Sequence, residues 1–171
     1  TRHLRRAVRI VEKKLRAVIA AAGAEVKVQV LLDRVIDATL AESALAPDER
    51  DGLAQEFEWF RESLGEFEFA VTRPYYHVKE KRAAGSGGLF SLTVNPYTCK
   101  GCMECVEVCA DAALETVKQT PEAVEQLRRH WDYWLDLPST APDYIRIDDL
   151  DAGIGALETL LLDKSAYSGF T

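Results

Sequence analysis

The sequence holds few of the residues that metal or hydrolytic sites draw on. Its 171 residues include three histidines, four cysteines and one methionine. No HExxH or HxxxH spacing occurs, and no Ser/His/Asp set points to a hydrolase. The one glycine-rich stretch, Gly85-Ser86-Gly87-Gly88, lacks the Lys-Ser/Thr pair and the helix start of a phosphate loop. No apolar run approaches the roughly 18 residues that a membrane helix needs, so a soluble protein is expected. No secretory signal pattern is present. Basic residues are outnumbered, 21 against 28 acidic, for a formal net charge of −7, which disfavours a general nucleic-acid binder. The remainder is ordinary: 47% hydrophobic and 29% charged residues suit one globular domain or two small ones and exclude wholesale disorder. The sequence starts at Thr1 and is read as a piece, or a processed form, of something longer.

All four cysteines lie within eleven residues: Cys99, Cys102, Cys105 and Cys109. Bridges between such close neighbours gain little, because a disulfide stabilises most when it closes a long loop. A reducing, cytoplasmic setting with the thiols as ligands or redox groups is the expectation.

Helical periodicity marks residues 2–22, where Leu4, Val8, Val11, Leu15, Val18 and Ile19 recur on one face and Gly23 suits the stop. The opposite face is basic: residues 1–22 hold seven basic residues and one acidic, for a net +6. A solvated face, or a contact to acidic parts of a parent protein, is favoured there over docking on nucleic acid or a membrane. Val26, Val28 and Val30 alternate like a strand, but Leu31 to Leu40 continues as a helix, and helix is favoured. Pro47 opens a third helix with Leu53, Phe57, Phe60 and Leu64 as its buried stripe and Gly65 as its end. Phe67, Phe69 and Val71 predict a strand to about Thr72, stopped by Pro74, and Leu89 to Val94 predicts another. Helices are expected from Pro121 to about Leu135 and over about 149–163. The predicted fold is α+β: a helical subdomain over 1–80, a flexible connector over 81–88, and a small antiparallel ferredoxin-like unit over 89–171.

The cysteine string reads C-x₂-C-x₂-C-x₃-C, the bacterial ferredoxin spacing. Thiolates separated by two residues fold around the corners of a cubane while neighbouring backbone N–H groups face its sulfides. Gly101 relieves crowding where the backbone passes close. The alternative is structural zinc, which usually joins two knuckles across a longer gap that is missing here. Cys99, Cys102, Cys105 and Cys109 are the candidate metal and cofactor ligands, for a [4Fe–4S] cluster.

The stretch NPYTCKGCMECVEVCADAAL over 95–114, and more so FSLTVNPYTCKGCMECVEVC over 90–109, resembles the second cluster motif of the ferredoxin domain of pyruvate:ferredoxin (flavodoxin) oxidoreductase and related 2-oxoacid oxidoreductases. ALETV, HWDYW and the closing LLDKSAYSGFT are similar to the linker that leads from that domain towards a further one. The resemblance covers about 89–171 and implies an electron-transfer module without a complete active site of its own. It implies one [4Fe–4S] cluster on Cys99, Cys102 and Cys105, with Cys109 facing a second cluster. It further implies thiamine diphosphate only in the rest of the parent enzyme. The implied partners are that enzyme's other domains or subunits and a soluble ferredoxin or flavodoxin acceptor, with no nucleic acid and no membrane.

Two departures stand out. Ala110 replaces the usual proline after the last cysteine, and no second cysteine motif follows. The missing cysteines then lie in a longer polypeptide or partner, or Cys109 closes a single cluster, or the fourth iron takes water, Asp or His, with His77 and His130 as the histidine candidates. Glu104, Glu107 and Asp111 flank the segment, either as a solvated face or as charge that lowers a cluster's potential. His130, Trp131, Tyr133 and Trp134 read as core more than as a cluster shield. The competing reading of the chain is a helical assembly or regulatory module with a structural metal, either zinc or a redox-inert cluster.

Overall fold

A computed structural model describes residues 2–22 and 27–145. About 60% of these residues are helical, and none belongs to a strand or sheet. The chain divides into two compact units, Thr1–Leu92 and Thr93–Thr171.

In the first unit, α1 (Leu4–Ala22), α2 (Val28–Ala41) and α3 (Pro47–Leu64) share one core. Ala7 and Val11 of α1, Val35 and Ile36 of α2, and Leu53 and Phe57 of α3 pack together, with Ile36 wholly buried. A second cluster joins Ile19 and Leu31 to Tyr76. The valine alternation at the start of α2 resolves as helix: Val28 is buried while Val30 is half exposed, as positions two residues apart on a helix should be. Thr39 lies in this core, and its hydroxyl donates to the Val35 carbonyl at 2.7 Å. Pro47 stands in the first turn of α3, and Gly65 caps its end at φ 52°. Three of the four α3 stripe residues are buried, but Phe60 is not; it is 40% exposed. Arg61 ties α3 to α2 through Asp33 at 3.0 Å and Asp37 at 2.6 Å.

The sequence-based α+β class, with its antiparallel ferredoxin-like unit, is overturned. Where strands were expected, among the described residues only Ala70 and Phe90 pair, as an isolated antiparallel bridge with N···O distances of 2.7 and 2.9 Å. Alternation alone does not make a sheet; several consecutive residues must pair, and here both flanks turn away. On one side Thr72 starts a π-helical turn, Arg73–His77, by accepting from the Tyr75 N–H, and Pro74 has no N–H to give a ladder. That turn runs on into α4 (Val78–Arg82). On the other side the chain reaches the Asn95-Pro96 turn within five residues of the bridge. Phe67 and Phe69 pack edge to face instead, with ring centroids 5.2 Å apart.

Residues 83–88 wrap one carboxylate. Glu80 accepts from the N–H groups of Gly85 at 2.9 Å and Gly87 at 2.8 Å. Arg16 of α1 donates to the Gly87 carbonyl at 3.0 Å and lies 3.5 Å from Glu80. These N–H bonds, together with Arg16, hold the Glu80 carboxyl below its ordinary value of 4.5. A Cβ on Gly87 would sit 2.9 Å from Glu80 Oε2 and 3.0 Å from the Tyr76 ring.

In the second unit, α5 (Glu104–Glu107) is a single turn, α6 (Pro121–Asp136) is the main helix and α7 (Pro142–Ile145) is short. Thr120 caps α6 by accepting from the Ala123 N–H at 3.2 Å, with Pro121 in the first turn. Trp131 is buried and stacks on Trp134 with centroids 5.0 Å apart. The helix expected over 149–163 lies outside the described residues.

Gly87→Ala is expected to lower the chain's unfolding free energy by about 1–3 kcal/mol, because the buried Tyr76 ring cannot yield to the added methyl. Gly52→Ala, in open space within α3, is expected to raise it by about 0.5–1 kcal/mol; urea denaturation reads both. A second expectation concerns acid. Because folding depresses the Glu80 carboxyl, its stabilisation is full above the unfolded value of 4.5 and is lost as pH falls through the lower folded value. Glu80→Gln should therefore flatten the fall of melting temperature below pH 4.5 relative to wild type.

Candidate metal centre

The cysteine segment opens with a side-chain-capped turn. Asn95 Oδ1 accepts from the Tyr97 N–H at 2.9 Å, and its carbonyl accepts from the Cys99 N–H at 3.0 Å. This is the Asx turn that an Asn-Pro pair favours. It delivers Cys99 to the start of a loop, on a chain whose Tyr97 ring lies under the Arg128 guanidinium at 5.6 Å.

The loop alternates its handedness. Gly101 has φ 65° and Met103 has φ 64°, while Cys102 between them is not left-handed. Alternation of this kind turns successive N–H groups to one side and forms a concavity for an anion, the backbone device found at many phosphate and iron–sulfur sites. The N–H groups of Lys100 to Cys105 donate to no acceptor among the described residues. Met103 then serves as the N-cap of α5, where the first N–H groups of a helix are free as well. Gly101 is the residue that adopts this conformation at no steric cost. Met103 carries a side chain there, a strain of about 1–2 kcal/mol that this loop sustains.

Cys99, Cys102 and Cys105 are exposed, and Cys109 is partly buried. Cys109 ends the turn after α5, its N–H bonded to the Val106 carbonyl at 3.3 Å. Its Sγ accepts from the Ala113 N–H at 3.2 Å, and Ala112 at φ 48° makes the bend that brings this amide round. Among the described residues no three His, Cys, Asp or Glu side chains come together as a metal-holding group, so neither His77 nor His130 completes one. His77 packs edge to face on Tyr76 in the π-helical turn, and His130 lies on α6. The donor chemistry and the backbone path thus fit an iron–sulfur cluster, while the thiols are not gathered on one point. Their exposure leaves three of them free to turn about χ1 without disturbing any core.

Glu104, Glu107 and Asp111 are exposed, so their charges are solvated. In α6, Trp131 takes the core position, whereas Tyr133 and Trp134 are half-buried; burial pushes the Tyr133 hydroxyl up. The sequence marked the Asn95-Pro96 entry but not Met103 or Ala112 as parts of the site. Asn-Pro was a readable turn signal, but a left-handed Met or Ala leaves no trace in sequence.

In metal-free, reduced protein, iodoacetamide is expected to modify Cys99, Cys102 and Cys105 several-fold faster than Cys109, whose sulfur is partly covered and holds a hydrogen bond. Peptide mass spectrometry over a time course reads the four rates.

Over 69 residues, 36% of the chain, the sequence is 35% identical to a protein of Synechocystis sp. whose name provisionally assigns it as a pyruvate-flavodoxin oxidoreductase. The matched part makes up 6% of that protein, so this chain spans a small fraction of its relative's length. No family model matches the chain, and no solved structure matches it. Part of the chain is thus distantly related to part of a large oxidoreductase.

Proposed function

We propose that this chain is an electron-transfer module holding one [4Fe–4S] cluster within a larger oxidoreductase of the 2-oxoacid:ferredoxin or flavodoxin type. The observation that carries the reading is a C-x₂-C-x₂-C-x₃-C run laid on a loop of alternating handedness whose N–H groups have no acceptor among the described residues. The distant similarity to a large protein named for pyruvate and flavodoxin supports the choice of enzyme class.

Cys99, Cys102 and Cys105 supply three thiolates, and Cys109 is the fourth thiolate this chain has to offer. The N–H groups of Lys100 to Cys105 offset the negative charge of such a group, and Gly101 lets the backbone approach it. Glu104, Glu107 and Asp111 act in the opposite sense: each carboxylate disfavours an added electron and lowers the potential. When bound, the cluster takes up and releases one electron at a time. Thiamine diphosphate and the chemistry on the 2-oxoacid belong to other parts of the enzyme, and a soluble ferredoxin or flavodoxin is the outgoing partner.

Anaerobic reconstitution with ferrous iron and sulfide is expected to give a brown protein with about four irons and matching acid-labile sulfide per chain, absorbing near about 400 nm. Cys99→Ser, Cys102→Ser and Cys105→Ser should each abolish that absorption, and Cys109→Ser should lower the iron content. A colourless product, or one zinc per chain without sulfide, would overturn the proposal in favour of a structural metal or none.

A further inference from the structure

The polar face of α1 is built against its own stability. Arg5, Arg6, Arg9 and Lys13 on this face, and Arg2 just before the helix, make no ion pair among the described residues, although other cations nearby do. Lys14 bonds Glu42 at 2.7 Å, and Arg16 bonds Glu12 at 3.2 Å and lies 3.5 Å from Glu80. At about 100° per residue Arg5, Arg6, Arg9 and Lys13 fall within an arc of about 100°, opposite Ala7, Val11 and Ile19, over a length of ~12 Å. Arg5 and Arg9, and Arg9 and Lys13, are like charges four residues apart on the helix, which repel. Arg5 and Arg6 also occupy the first turn, which holds no acidic residue and where the helix dipole disfavours cations. Exposed charges that repel one another, oppose the dipole and have no ion-pair partner among the described residues break local rules without a visible structural gain, and such places mark function.

We infer that this stripe is a docking surface for an acidic protein segment. Three kinds of anionic partner are conceivable, and the structure separates them. A membrane surface needs a broad apolar helix face to insert, but Ala7, Val11 and Ile19 of α1 are buried against α2, α3 and the Tyr76 cluster, which leaves only Val8 of that face half exposed. A nucleic-acid backbone extends beyond a ~12 Å stripe and would meet the acidic side chains at its border. Glu42 lies beside Lys14, and Glu49 lies 3.4 Å from His3. A protein segment with Asp and Glu at helical spacing matches both the length and the width of the stripe. Arg5, Arg9 and Lys13 line a shallow groove with Ile10 and Ala17, where apolar atoms of such a segment find contact. Ile10 is 38% exposed and available for it. This inference does not rest on the cysteine segment and stands whether or not a cluster binds there.

The test uses the full chain and the variant Arg5→Gln/Arg9→Gln/Lys13→Gln, with four labelled probes. These are a helical peptide of about a dozen residues with Glu at every third or fourth position, its Gln counterpart, a short DNA duplex, and phosphatidylserine vesicles. The Glu peptide is expected to bind wild type at least about tenfold more tightly than the variant, and to lose affinity as salt rises from about 50 to about 300 mM. The variant should melt at the same temperature as wild type or higher, because it sheds repulsion. Equal binding of the Gln peptide, tighter binding of duplex or vesicles, or no binding at low salt would overturn the inference. A variant that melts lower would also overturn it, by showing that the cations serve the fold.

Discussion

Left-handed backbone at Gly101 and Met103 is the constraint on which the cysteine segment is built. The N–H groups of Lys100 to Cys105 donate to no acceptor among the described residues, so the chain there is neither regular helix nor strand, since both consume those groups in their own ladders. The segment is therefore a loop, entered through the Asn95 turn and left through the single turn of α5. The bend at Ala112 then gives an N–H to the Cys109 sulfur. Each of these features is local, so the segment needs no sheet to hold it, and among the described residues none is present.

The first unit solves a different problem. An amphipathic α1 has one apolar face, and the unit buries most of it: Ala7 and Val11 against α2 and α3, Ile19 against Leu31 and Tyr76, with Val8 left half exposed. Arg16 extends the same helix's reach by linking to Glu80 and Gly87, which gives the glycine-rich turn a charged anchor. A segment of small residues that composition marks as a flexible joint thus has specific hydrogen-bond partners. What remains on α1 is charge without an ion pair among the described residues, and charge of that kind acts at longer range and on other molecules.

Much of the helical layout was readable from the residues. Proline in the first turn of α3 and of α6, Gly65 after α3, and the spacing of Val11, Ile36, Leu53 and Phe57 all act within a few residues along the chain. The strands were misread because alternation at Phe67, Phe69 and Val71 describes an extended backbone, while a sheet requires a partner of matching length. Phe60 was misread for a related reason: periodicity gives a face, but only the neighbours decide how wide a part of that face is covered, and Phe60 lies beyond its edge.

For the candidate site, the sequence by itself determined the donors: four thiols at cluster spacing, a glycine between the first two, and acidic neighbours. Those are properties of residue type and order, which no fold can alter. Only the tertiary structure decided which residues besides glycine turn left-handed, which loop amides have no acceptor among the described residues, and that α1 packs its apolar face on the core while four of its cations have no ion pair among those residues. Such outcomes depend on what packs against what, and packing joins residues far apart in the chain that no local pattern brings together.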